Sequence, residues 1–238
     1  MRAIRVAVVL GTVIGTVALA GAASAKNTAD YRFEGNFKNS SGPAADLVKF
    51  GTGGDFVKRK IGGQRQGAWK WPLGTGVQLR HAFKALDHKG RSYTFLMLIN
   101  VDSISPSPTG FAKLIDFDRD EERGLYVHDG ALVPYDLDES NPAVQAGAWY
   151  QIAMTRSKDG TVRLYIDGVC PPGDICLAFN PLLNRDDPDK TQVLGKKGIL
   201  TFFVDDTGPM FEQSSGMVAR LRIYDDPLSK KRIKQVIG

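Results

Sequence analysis

Trp149 to Gly168 reads WYQIAMTRSKDGTVRLYIDG, and the reading of this stretch decides the fold. Val162, Leu164 and Ile166 alternate with Arg163, Tyr165 and Asp167. A period of two buries one face of a strand and wets the other. Asp159-Gly160 predicts a tight turn joining this strand to the one that Trp149 opens. Glycine accepts φ > 0 without a Cβ clash, and aspartate tolerates it. A second Asp-Gly pair, Asp167-Gly168, closes the unit. The stretch is therefore a hairpin, and its Trp and Tyr predict a central place in a packed sheet.

The pattern continues outward as short extended runs broken by Gly, Pro, Asn and Asp. Upstream, SYTFLMLINVDSI (Ser92 to Ile104) is apolar on both phases and predicts a central strand covered on both faces. Further runs are Tyr31 to Asn36, Leu47 to Gly51, Phe56 to Ile61, Gly76 to Arg80 and Ala82 to Leu86. Phe111 to Asp118 and Gly124 to His128 flank the charged RDEER, which predicts a hairpin, and Ala131 to Tyr135 follows. Gln192 to Leu194 and Ile199 to Val204 lead to the loop DDTGPMFEQSSG. In Gly216 to Tyr224, Met217, Ala219, Leu221 and Ile223 alternate with Val218, Arg220, Arg222 and Tyr224. Only the end reads as helix, with Ser229 as N-cap and Ile233, Val236 and Ile237 on one side. The sum is an all-β chain folded as a two-sheet antiparallel sandwich with a short C-terminal helical turn.

Residues 1–25 stand outside that pattern. Arg2 and Arg5 precede the apolar VAVVLGTVIGTVALAGA, and Ala23-Ser24-Ala25 supplies the small residues of a cleavage site. This predicts a signal peptide, an exported chain beginning near Lys26, and no stable membrane insertion once the leader is removed; the alternative is an uncleaved N-terminal anchor. Residues 26–238 then form one domain in a secreted, periplasmic or extracellular setting. Of the 31 basic residues, 29 remain without Arg2 and Arg5, against 26 acidic. So mild and scattered an excess is no nucleic-acid footprint. In an oxidising compartment Cys170 and Cys176, which flank PPGDI, predict a local disulfide.

Four segments carry a resemblance: YRFEGNFKNSSG, the hairpin WYQIAMTRSKDGTVRLYIDG, the acidic loop after FFVDD, and GMVARLRIYDDPLSKKRI. In order and spacing they resemble the laminin-G-like domains of the concanavalin A-like lectin/glucanase superfamily, over nearly the whole exported chain. The resemblance implies a curved jelly-roll sandwich that binds a glycan or an extracellular protein without catalysis, in some members with calcium. One departure is the basic run Lys230, Lys231, Arg232 and Lys234, placed where relatives commonly carry acids.

Candidate sites follow. Calcium wants several hard oxygen ligands, and Asp205, Asp206 and Glu212 are the set that one loop can gather. Asp116, Asp118 and Asp120 begin like an EF-hand, but Glu121 stands where its glycine belongs and Val127 where its closing Glu belongs. For sugar stacking, Trp69 and Trp71 stand two apart and share a face, as platform or as core; Tyr126 and Tyr135 are further candidates. The alternative is a carbohydrate-active enzyme, a glycoside hydrolase or polysaccharide lyase. Its nearest motif is Asp116-Phe117-Asp118-Arg119-Asp120-Glu121, which lacks the leading glutamate of a glucanase signature. His81, His88 and His128 lie apart and form no triad pattern. A third reading is a structural envelope protein held by its surface charges, the basic C-terminal run among them.

Overall fold

The computed structural model describes residues 25–106, 109–118, 121–168, 180–205 and 212–237. The predicted signal peptide and the Cys170/Cys176 loop lie outside the described residues, as does Asp206. Among the described residues the chain forms β1 (Asn27–Tyr31), β2 (Val48–Phe50), β3 (Asp55–Ile61), β4 (Gln64–Trp71), β5 (Gly76–Arg80), β6 (Tyr93–Val101) and β7 (Phe111–Asp116). It continues through β8 (Gly124–His128), β9 (Ala131–Pro134), β10 (Trp149–Arg156), β11 (Thr161–Gly168), β12 (Asn180–Asp186), β13 (Ile199–Phe202) and β14 (Gly216–Tyr224), and closes with α1 (Lys230–Ile237). An eight-stranded sheet runs β12-β11-β10-β6-β14-β4-β3, with β1 also paired to β14. A six-stranded sheet runs β2-β5-β13-β7-β8-β9. All pairings between these strands are antiparallel.

The hairpin lies where its pattern predicts. Tyr150 to Arg156 pairs with Gly168 to Val162 without a slip, and Gly160 turns the chain at φ +101°. The Asp159 carboxylate accepts the Thr161 N–H at 3.1 Å, fixing the turn with its own backbone. β6 fits between β10 and β14 and is buried along its whole length. Its Phe95, Met97 and Ile99 enter the core between the sheets, while Leu96 and Leu98 are buried on the other side. Ser229 caps α1, its hydroxyl accepting the Arg232 N–H at 3.3 Å. Ile233 and Val236 seat the helix on Leu96, Ala153, Tyr165 and Tyr224. Burying Ile233 contributes roughly 1.5–3 kcal/mol, which a helix this short needs.

Five local expectations fail for identifiable reasons. Ala82 to Leu86 is no extended run: Ala82–Lys84 is a short 3-10 helix, closed by the Ala85 N–H on the Ala82 carbonyl at 2.8 Å. Gln192 to Leu194 is a turn rather than a strand, the Gln192 N–H being held by the Asp187 carboxylate at 3.2 Å. The opening strand is Asn27–Tyr31 rather than 31–36, because Phe33 takes a left-handed φ of 52° and turns inward. β12 carries no alternation and was not expected; its partner β11 imposes it. In β14 the alternation changes phase at a bulge between Val218 and Arg220. Val218, Leu221 and Ile223 enter the inter-sheet core, while Ala219 joins the opposite face with Ala68 and Leu98.

Trp69 and Trp71 are 1% and 0% exposed. They form no sugar platform: both point between the sheets, where Trp71 stacks on Phe203 at 4.0 Å and donates its indole N–H to Ser214 at 3.2 Å. Tyr126 is likewise buried, and its hydroxyl donates to Glu122 at 2.6 Å. Of the four aromatics, Tyr135 alone stays exposed, at 37%.

Candidate functional site

β14 changes partner midway. Gly216 to Val218 pair with β4, but from Leu221 onward β1 takes the same edge. The bulge aims Arg220 and Arg222 away from the core, and β4 diverges beside them. A groove of about 200 Å³ results on the outer face of the eight-stranded sheet. Leu96 and Leu98 line its floor, with Gln64, Gln66, Gln151, Arg220 and Arg222 around them. Trp149 precedes Gln151 by two residues on the same strand face and packs, half-buried, beside Leu98 and Ala219. Asp30 holds the arginines in place: Arg220 binds it through two hydrogen bonds, of 2.8 and 2.7 Å, and the Arg222 Nε lies 3.7 Å away. Burial raises the Asp30 carboxyl, but the Arg220 hydrogen bond and the neighbouring arginine charges outweigh it and hold the group below the usual range. An apolar floor ringed by strand-mounted amides and guanidiniums can hold hydroxylated rings and read their orientation.

A second hollow, of about 340 Å³, lies between loops at Asp118, Glu121, Arg123, Leu194 and Lys197. Glu121 and Arg123 there pair with each other. Among the described residues no aromatic ring lines it, and its walls are loop residues rather than strands.

The expected calcium ligands come together in part. Asp205, Glu212 and also Glu122 present oxygens within 4.8 Å of one another. A cation already stands among them. The Lys113 ammonium is 2.9 Å from Asp205, 3.9 Å from Glu122 and 4.0 Å from Asp116, and lies 4.1 Å over the Tyr126 ring. Lys113 is 1% exposed and its Nζ also donates to the Tyr126 hydroxyl. The Tyr126 phenol is pushed well above its ordinary range by burial first, then by its hydrogen bond to Glu122. Burial, the Glu122 charge and the Asp205 charge raise the Glu212 carboxyl. Calcium binds oxygens at about 2.3–2.6 Å and cannot share this cradle with an ammonium. Among the described residues, Glu122, Asp205 and Glu212 therefore do not fit calcium while Lys113 holds its place.

Among the described residues the carboxylates of the glucanase-like motif, Asp116, Asp118 and Glu121, do not line the groove. Asp116 is buried beside Lys113, Asp118 lies in the loop hollow, and Asp120 is outside the described residues. The histidines stay apart in role: His81 and His88 take left-handed turns, and His128 stacks on Phe111 at 4.1 Å with Glu139 3.0 Å from its Nδ1. Sequence reading passed over Gln64, Gln66, Gln151, Trp149 and Lys113. Alternation alone does place Trp149 and Gln151 together, opposite Tyr150 and Ile152.

Fold and groove together define a lectin-like β-sandwich. The chain belongs to the Concanavalin A-like lectin/glucanases superfamily, whose laminin-G family profile matches residues 74–234. Among solved structures it is similar to domain 4 of AbnA, a GH43 extracellular arabinanase from Geobacillus stearothermophilus, in complex with arabinotriose. The TM-score is 0.58 at 16% identity, over 90% of this chain and 99% of that one. It is also similar to botulinum neurotoxin type C, whose cell entry depends on two ganglioside molecules (TM-score 0.59, 13% identity, 90% of this chain and 50% of that one). The binding domain of botulinum neurotoxin DC in complex with rat synaptotagmin II gives a TM-score of 0.57 at 13% identity, over 90% of this chain and 51% of that one. The chain thus spans about half the length of these toxin chains. No curated protein sequence matches it.

Proposed function

We propose that the protein is an exported, non-catalytic binding module that holds a glycan in the groove on the outer face of its eight-stranded sheet. One observation carries this: an apolar floor of Leu96 and Leu98 is ringed by three glutamine amides and two arginines, with Trp149 at its edge. Amides donate and accept, which suits vicinal hydroxyls, while a half-buried indole face suits the C–H face of a sugar ring. The groove is smaller than the roughly 300–1,000 Å³ of a site for a drug-sized ligand, and it is open. It suits a short stretch of a longer chain. The arabinotriose complex of the arabinanase domain supports a glycan on this fold, though fold does not fix function.

Among the described residues none that lines the groove is a carboxylate, which supports binding over hydrolysis. Retaining glycosidases need two carboxyl groups about 5–5.5 Å apart across the bond. We further propose that binding is independent of calcium, because Lys113 supplies the positive charge that the acid cluster needs. The test is a glycan array followed by titration calorimetry, with calcium and with a chelator. Saturable binding to an oligosaccharide, weakened roughly tenfold or more by Trp149→Ala or Gln151→Ala, is the expected result. No binding to any glycan, with capture of an extracellular protein instead, would overturn it.

A further inference from the structure

We propose that the free edge of β3 takes an acidic, extended polypeptide segment as an added strand of the eight-stranded sheet. This edge lies across β4 from β14 and the groove arginines, so it can be occupied whatever the groove holds.

β3 ends the strand order, and among the described residues it pairs only with β4. Its residues other than Val57 and Ile61 are exposed. The register with β4 runs without a slip from Asp55↔Lys70 to Ile61↔Gln64. Gly67, opposite Lys58, donates its N–H to the Glu34 carboxylate at 2.7 Å rather than to β3. In an antiparallel pair a residue's N–H and C=O point the same way, and the residue opposite shares that phase. Lys58 therefore presents both backbone groups away from β4, and alternation turns those of Phe56 and Lys60 outward as well. The turn agrees: Gly62 and Gly63, at φ 55° and 81°, close a two-residue hairpin that makes Ile61 and Gln64 the inward-bonded pair. Arg59 marks the open edge, because its guanidinium folds back onto the Lys58 carbonyl at 3.0 Å. An added strand's N–H would take that contact over and release Arg59. The outward groups from Phe56 to Lys60 span about 14 Å, the reach of about five extended residues.

Charge sets the chemistry of the partner. Lys58, Arg59 and Lys60 follow one another on β3, and Arg65 stands directly opposite Lys60. Lys60 and Arg65 form the non-hydrogen-bonded kind of pair, in which side chains come closest, and like charges so placed repel. Glu34 neutralises Lys58. Among the described residues Arg59, Lys60 and Arg65 have no carboxylate partner. Carboxylates at alternate positions of an added strand would meet Lys58 and Lys60 on one face. On the same face Phe56, 38% exposed and packed on Phe37 at 4.9 Å, offers an apolar contact two residues along. Backbone bonds then supply affinity, and the alternate side chains supply selection.

A second copy is the poorer occupant. Two β3 edges would set Lys58, Arg59 and Lys60 against their own copies, with only Asp55 to oppose them. Edge lysines deter pairing between copies, and the same charges select an acidic strand.

The probe is the peptide acetyl-Leu-Thr-Glu-Thr-Glu-Thr-Leu-amide, whose leucines and glutamates share one face of a strand. Two controls accompany it: a version with lysine for both glutamates, and one N-methylated on both glutamate nitrogens, which keeps the charge and blocks the strand bonds. Calorimetry on the purified protein should show saturable binding of the probe, with both controls weaker by roughly tenfold or more. Lys60→Pro deletes an outward N–H and no bond to β4, so it should melt with Lys60→Gln yet bind the probe several-fold more weakly than Lys60→Gln, by about threefold or more. Should Lys60→Pro fail to fold, the N-methylated peptide on the parent protein still decides. An N-methylated peptide bound as tightly as the probe would overturn the added strand and leave a contact of charges alone. A lysine peptide bound as tightly would overturn the selection for acids, and binding of none of the three would overturn the proposal. Self-association of the parent protein that Lys60→Pro abolishes, with the probe without effect on it, would assign the edge to a second copy instead.

Discussion

Lys113→Met removes a buried ammonium from among Asp116, Glu122, Asp205 and Glu212 and replaces it with an apolar chain of similar length. Asp116 and Asp205 have side chains 0% and 5% exposed, so water cannot take the place of the lost charge. Removing one partner of a buried ion pair typically costs about 3–5 kcal/mol, most of it from the charge left behind. The cation–π contact with Tyr126 is lost as well. At about 2–4 °C per kcal/mol for a chain of this size, the melting temperature should fall by about 6–20 °C at pH 7. The loss should shrink in acid. Burial and the neighbouring acids already raise the Glu212 carboxyl against the opposing Lys113 charge, and losing that charge raises it further, so this destabilisation is present above the raised value and disappears as pH falls through it. Millimolar calcium should restore part of the loss in the variant, whose three carboxylates can then close on a metal, and should leave the parent protein unmoved. Differential scanning calorimetry from pH 4 to 8, with calcium and with a chelator, reads all three effects. A parent protein stabilised by calcium as much as the variant, or a variant within about 1 kcal/mol of the parent, would refute the view of Lys113 as the resident cation.

Other perturbations separate core from surface. Trp71→Ala should cost about 3–5 kcal/mol in urea unfolding, because the indole stacked on Phe203 leaves a cavity between the sheets; a loss of glycan affinity without a loss of stability would contradict its burial. Asp187→Ala should cost a similar 3–5 kcal/mol, since it strips the buried Arg156 guanidinium of its carboxylate partner at 2.8 Å and frees the Thr191 and Gln192 backbone N–H groups. Glu212→Gln should raise stability at pH 7 by up to about 1 kcal/mol after solvent screening, because the parent carboxyl ionises there at a cost. Its folded pKa is raised, so the gain should vanish as pH falls through that value toward the ordinary glutamate range. A gain that persists at pH 3 would point to another cause.

The sequence by itself determined the elements whose information is local. The β10–β11 hairpin, the doubly buried β6, the β7–β8 hairpin and the Ser229-capped helix all follow from a period, a turn pair or a cap within one segment. It also placed Trp69 with Trp71 on a common face, since alternation fixes which neighbours share a side. What it could not decide was which side faces the second sheet. That depends on where β4 falls in the strand order, and it turned the two tryptophans inward while Trp149 faces out. The bulge in β14 has the same character: GMVARLRIY alternates cleanly on paper, yet the exchange of β4 for β1 along one edge shifts its phase and aims Arg220 and Arg222 into a groove. Lys113 stands furthest from local legibility. A lone lysine in a strand reads as solvated, and only the approach of Glu122 from the β7–β8 connection and of Asp205 and Glu212 from the β13–β14 connection makes it a buried cation, because the Coulomb energy depends on distances that only the completed fold sets.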